Sequence, residues 1–294
     1  MLHQHCQGRF HHQLKRSNAA RTVIVRASSS KPAVQQAISV PTQAEAQCAQ
    51  AAQAIEAAFR AGIKRQRVEL LLPLIGATDL DDWPGGVRQQ FKAVSPLVEQ
   101  ILRAVKQGEG LQGPMSAEIW DDGDAVACWR SDKMACVVFP TASTLDRLRK
   151  LAEGPDAPSL VIIVNPQWEA GGWSKGNPLS DFGIGPWRAA KEAFVATFEP
   201  TYWLRQQRVY GDVVRVLRGY PHAWQVHVDV ARAPGTRANL APASECIAVT
   251  PALPSYAEIE ATLRARPSSS INKSVSQRLQ EEWEFNRKSL DGPK

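Results

Sequence analysis

Two short stretches of this chain gather residue types that hold anions or partners. In Asp81-Asp82-Trp83-Pro84-Gly85-Gly86-Val87-Arg88 a double glycine opens an amphipathic run. Glycines at a helix start let backbone N–H groups and the positive dipole end approach a phosphate or carboxylate. Arg88, in the first turn, would add a fork of donors. The pattern is neither a Walker loop nor G-x-G-x-x-G. A tight loop whose aspartates cap the helix while Trp83 packs is the better reading. The second stretch is Asn165-Pro166-Gln167-Trp168, where two amides and an indole follow directly on Leu-Val-Ile-Ile-Val.

The segment after Trp168 is long and holds Gly171, Gly172, Gly176, Gly183 and Gly185. Gly172-Trp173-Ser174-Lys175-Gly176 lacks the Gly-Lys-Ser/Thr order of a phosphate loop, and a covering loop is the better reading. Trp168, Trp173, Phe182 and Trp187 cluster here, and indoles on such loops are typical interface anchors.

Other candidates are weaker. His227 and Asp229 alternate on one strand face and could hold a metal edge-on, but no third ligand is visible and a solvated face is expected. Asp121, Asp122 and Asp124 read as turn residues rather than paired catalytic acids. There is no Gly-x-Ser-x-Gly, and no Cys-x-x-Cys or Cys/His ligand spacing, so neither a hydrolase triad nor a zinc site is indicated. Cys48, Cys128, Cys136 and Cys246 read as small core residues.

These residues need a frame. The apolar run 160–164, bounded by Pro158 and Pro166, fits a strand buried on both faces. Ligands of open α/β sheets collect outside the carboxyl ends of such strands. Val-Glu-Leu-Leu-Leu within Arg67–Leu72 reads as a second buried strand, and the stripe Val87, Phe91, Val94, Val98, Ile101 and Val105 as a helix that Pro96 should kink or split. Ahead of them, Thr42-Gln43-Ala44-Glu45 has the form of a capping box before a helix carrying Cys48, Ala52, Ile55 and Phe59. Asp122-Gly123 predicts a two-residue hairpin turn, and Met134–Phe139 a strand. Leu145, Leu148 and Leu151 mark a short helix. Gly185-Pro186 should start another, with Trp187, Phe194 and Phe198 inward. Three strands then read as a meander over 202–209, 213–217 and 223–230, joined by Gly211-Asp212 and Tyr220-Pro221. In the last, Trp224, Val226, Val228 and Val230 face the core and Gln225, His227 and Asp229 face water. A strand at 246–249 and a helix at 256–263 complete the pattern. The fold class is therefore α/β: a single mixed sheet with parallel core strands, an antiparallel C-terminal meander and helices on both faces.

The formal charge of +6 is unevenly spread, because residues 1–44 contain no acid. Arg9, Lys15, Arg16, Arg21 and Arg26 lie there, with four of the six histidines. An Arg-bearing, acid-free leader is the signature of an organelle transit peptide, expected here over 1–27. Its loss would remove five positive charges and bring the chain from +6 to +1. That balance excludes general nucleic-acid binding, which needs clustered cations. No apolar run reaches membrane-span length. Residues 28–40 read as a disordered leader, 41–265 as the α/β domain and 266–294 as a polar tail.

At Asp82-Trp83-Pro84-Gly85-Gly86-Val87-Arg88-Gln89, Asn165-Pro166-Gln167-Trp168 and Gly219-Tyr220-Pro221-His222-Ala223-Trp224-Gln225-Val226 the chain resembles a family of plants, algae and cyanobacteria. That family is labelled domain of unknown function nineteen-ninety-five, and the resemblance covers about 41–263. It is similar to the low-photosystem-II-accumulation type of assembly factor. The resemblance implies a chloroplast protein of the stroma or thylakoid surface that aids thylakoid complex assembly; it brings no catalytic residues. Two functions therefore stand open. One is an accessory protein binding a thylakoid or photosystem assembly partner through its Trp-rich loop, which holds Trp168 and Trp173; Asp82 and Trp83 are further candidates for ligand or partner binding. The other is a phosphometabolite- or nucleotide-binding stromal enzyme using Gly85, Gly86, Arg88, Asn165, Gln167 and Lys175. The residues name no cofactor and no metal. Both readings require that the strand end near 165 and the helix start near 86 share one hollow.

Overall fold

A strand rich in β-branched residues pairs readily and packs on both faces, and Leu160–Val164 does so, buried along its whole length. The computed structural model describes residues 37–72, 86–168, 182, 185–230 and 243–290. The expected transit peptide and the segment 231–242 lie outside these residues. In chain order the elements are α1 (Ala44–Arg60), β1 (Arg65–Glu69), α2 (Val87–Val105), β2 (Ser116–Asp121), β3 (Val126–Arg130), β4 (Met134–Val138), α3 (Leu145–Glu153) and β5 (Leu160–Val164). They continue with α4 (Trp187–Val195), β6 (Glu199–Val209), β7 (Asp212–Gly219), β8 (Trp224–Val230), β9 (Ala243–Thr250), α5 (Tyr256–Arg264), a short 3-10 turn and α6 (Val275–Leu290).

Among the described residues nine strands form one mixed sheet in the order β2-β3-β4-β5-β1-β6-β7-β8-β9. β4, β5, β1 and β6 run parallel at its centre, and β6 to β9 form the expected antiparallel meander. Alternation along the central strands feeds two cores. Leu160, Ile162 and Val164 pack with α1 and α2, while Val161 and Ile163 pack with α3 and Phe194 of α4. A third core joins Trp203, Val216 and Val226 to Ile259 and Leu263 of α5. Neighbouring β1 and β5 send the chain to helices on opposite faces, which makes the gap beyond their ends a topological switch point.

Several local expectations are corrected. β1 begins and ends earlier than predicted, at Arg65–Glu69. α1 starts after Gln43, so Thr42 falls outside the capping position and no side chain caps the helix. Pro96 neither splits nor ends α2. It sits on the exposed side, and Ser95 Oγ donates to the Phe91 carbonyl at 2.7 Å in the adjacent turn. The β2–β3 turn spans 122–125 rather than two residues, because Asp121 Oδ1 accepts from the N–H groups of Gly123 and Asp124 at 2.9 and 3.2 Å. The β6–β7 turn is Tyr210-Gly211, both at positive φ, with Asp212 already in β7. Trp187 is 57% exposed rather than inward. It folds back over Gly185, where a Cβ would lie 2.7 Å from the indole.

The polar face of β8 is not wet. Gln225 and His227 are 0% and 3% exposed. Gln225 Oε1 accepts from the Ile38 N–H at 3.1 Å and lies 3.1 Å from His227 Nε2. Ile38 and Val40, expected within the leader, pack against the first core. The stretch after α5 is tied down as well: Ser269 and Ser270 bond Asp212, and Ile271 joins the third core.

Burial, aided by Arg215, holds the His227 imidazole down at about 4. The unfolded chain therefore takes up this proton first as pH falls. The His227 contribution is complete above about pH 6.5, the ordinary histidine value, and is lost progressively toward pH 4. Urea denaturation between pH 7 and 4 should show a shallower loss of stability in His227→Gln than in the native chain. Parallel curves would refute the assignment.

Candidate functional site

β1 places Arg67 and Glu69 on the same face, two residues apart, and β6 does the same for Trp203 and Arg205. The pairing sets Glu69 beside Trp203. Glu69 Oε1 accepts from Arg67 Nε and Nη2 at 2.8 and 2.5 Å, and Oε2 accepts from Arg205 Nε and Nη2 at 3.1 and 2.8 Å. Both guanidinium carbons stand over the Trp203 ring, at 5.1 and 4.9 Å from its centroid. Such stacking adds roughly 0.5–2 kcal/mol per contact. The Glu69 side chain is only 2% exposed, against 10% for Arg67 and 29% for Arg205. Burial pulls Arg67 below its ordinary value, opposed by the Glu69 charge and hydrogen bonds.

Glu69 and Arg205 of this cluster border a hollow of about 290 Å³ beyond the carboxyl ends of the parallel strands. Glu69 ends β1 and Leu70 follows it, Phe139 follows β4, Asn165 to Gln167 follow β5, and Arg205 comes from β6. Val87 and Gln90 from the start of α2 close the side. The strand exit and the helix start thus border one cavity.

The two amides named from the sequence shape this cavity. Asn165 adopts a left-handed φ of 45°, a conformation its short amide tolerates. Its Oδ1 accepts from the Leu70 N–H at 2.7 Å and its Nδ2 donates to the Leu70 carbonyl at 2.9 Å. The side chain thereby continues the β1–β5 ladder one step past the strand. Gln167 Nε2 donates to the carbonyls of Asp124 and Phe139 at 2.8 and 3.3 Å, tying the exit to the β2–β3 turn. Trp168 is 3% exposed and packs on Phe182, with ring centroids 5.8 Å apart. Its Nε1 has no partner among the described residues.

The remaining nominated residues divide. Gly86 is the N-cap of α2. Arg88 turns away to Asp122 at 3.2 Å, in a pair 62% and 90% exposed that contributes little. Asp82, Trp83, Gly85, Trp173 and Lys175 lie outside the described residues. Asp229 is paired with Arg215, and among the described residues no three His, Cys, Asp or Glu side chains converge on a metal position. Burial pushes the Cys128 thiol up to about 12 and Cys136 well above its ordinary value, so neither offers a ready thiolate.

Arg67, Glu69, Trp203 and Arg205 were not nominated by the sequence reading. The available signal was the charged residues at alternate positions inside a strand expected to be buried on both faces.

Removing one member of a buried ion cluster leaves the others uncompensated. Glu69→Ala is expected to cost about 3–5 kcal/mol in urea unfolding, whereas Arg88→Ala should stay within about 0.5 kcal/mol. A Glu69→Ala cost as small as that of Arg88→Ala would contradict the cluster.

A family model described as Domain of unknown function (DUF1995) matches residues 41–261, most of the chain. No curated protein and no solved structure matches it. Among the described residues no helix is long and apolar enough to cross a membrane.

Proposed function

The chain belongs to the DUF1995 family, and from that premise we propose that it is a chloroplast accessory protein. It aids assembly of photosystem II or another thylakoid complex by binding a partner protein at the hollow beyond β1 and β5. The observation that carries binding rather than turnover is the lining of that hollow. Its described residues include no Ser, Thr, Cys, His or Lys, and its one carboxylate is already held by two guanidinium groups. General acid–base or nucleophilic chemistry needs a group free to exchange a proton or an electron pair. A phosphometabolite enzyme is less favoured for the same reason.

Three further features support this reading. Trp187 is an exposed indole at the start of α4, a residue type enriched in interface anchors. The acid-free, arginine-bearing residues 1–27 suit chloroplast import. The likeness of its sequence motifs to low-photosystem-II-accumulation factors is the ground for proposing a photosystem complex. Peripheral contact with the thylakoid surface is compatible with all three.

Affinity capture of the tagged full-length protein from solubilised chloroplasts should recover photosystem or assembly subunits. Trp187→Ala should lower that recovery several-fold, and a null strain should accumulate less of the complex. Capture free of thylakoid subunits, with normal photosystem levels in the null strain, would overturn the proposal.

A further inference from the structure

Arg205 is built to be read from the hollow. Its Nε and Nη2 are committed to Glu69 and its plane lies over Trp203, so the guanidinium is held in one orientation. Its Nη1 has no partner among the described residues, and the side chain is 29% exposed while Glu69 beneath it is 2% exposed. The cluster carries two cations and one anion, leaving one positive charge in excess. α2 adds to this potential from the side: its N-cap is Gly86, which offers no capping side chain, and its first turn holds no acid. Around the polar floor the walls are apolar, from Leu70, Val87, Phe139 and Pro166.

We infer that the hollow takes a carboxylate carried on an apolar body, with Arg205 Nη1 as its direct donor. One excess positive charge balances one carboxylate. A phosphate would bring about −1.5 to −2 and leave negative charge uncompensated in a half-buried site. The planar guanidinium edge suits the planar anion, and the apolar walls remove the attached body from water. Arg88, the cation named from the sequence, takes no part because it faces Asp122. This inference rests on reading the hollow as a binding site. The carboxylate can belong to a free organic acid or to the C-terminus of a partner chain, and the chemistry at Arg205 is the same.

The test is thermal unfolding of the full-length protein with 3-phenylpropionate, its amide, inorganic phosphate, and the peptide Ala-Ala-Ala-Phe with a free or an amidated C-terminus. The two acids should raise Tm in a saturable way, and the two amides and phosphate should not. Arg205→Gln should weaken acid binding about tenfold or more. Because that change also disturbs Glu69, Gln90→Glu serves as a second variant. It places a negative charge at an exposed position of α2 that lines the hollow, and should weaken acid binding about tenfold or more in a folded protein. A free-acid peptide binding more tightly than 3-phenylpropionate assigns the carboxylate to a chain terminus, and the reverse assigns it to a free acid. Equal shifts from acids and amides, a phosphate shift matching the acids, or undiminished binding in both variants would overturn the inference. Successful partner capture without any carboxylate effect removes this inference alone. Arg205-dependent acid binding without partner capture leaves the carboxylate site standing and removes the assembly role.

Discussion

Taking a carboxylate out of water in the middle of a sheet costs several kcal/mol unless charges and donors replace what water supplied. Glu69 imposes that requirement at the end of the central strand. Four N–H donors from two arginines meet it, one arginine on its own strand and one on β6. The neighbouring Trp203 gives both guanidinium groups an aromatic face instead of solvent. The arrangement sits on the sheet face opposite α1 and α2, where a bulky polar group separates the core under α3 and α4 from the core under α5. Because Arg205 is fixed from beneath, its outward edge faces the hollow without the entropy of a free surface arginine.

The topology places this edge at a useful point. Adjacent parallel strands whose continuations cross to opposite faces leave a crevice that neither helix covers. Asn165 keeps that crevice in register by extending the ladder through its side chain, and Gln167 anchors the far rim. Two residues that look like ligand contacts in the sequence therefore hold the cavity open. The contact itself passes to an arginine from a distant strand. The proposed partner binding and the proposed carboxylate recognition draw on the same few side chains, and neither requires a reacting group.

How much of this was legible depends on how local the signal is. β5 and the meander were readable because β-branched runs and alternation act over a few residues, and parallel strands near Val68 and Val161 followed from the α/β pattern, although their register, with Val68 opposite Val164, did not. Pro96 misled because the cost of a helical proline depends on what surrounds it, and here it lies on the exposed side. The wet face assigned to His227 failed because Ile38, far away in sequence, covers the neighbouring Gln225. Trp187 was assigned inward on helical spacing alone, although it begins α4 and bends over Gly185. The Glu69 cluster was least accessible. Arg205 stands 136 residues from its partner, and no composition or period marks such a pairing before the strands are in place.

The most direct measure of the central claim is arginine side-chain NMR of the full-length protein near pH 7. Nε–H groups held by a buried carboxylate exchange slowly with water, and two protected signals, from Arg67 and Arg205, are expected. Both should lose protection in Glu69→Gln. Rapid exchange of both signals in the native protein would show that no buried carboxylate holds them, and the account of the hollow would fall with it.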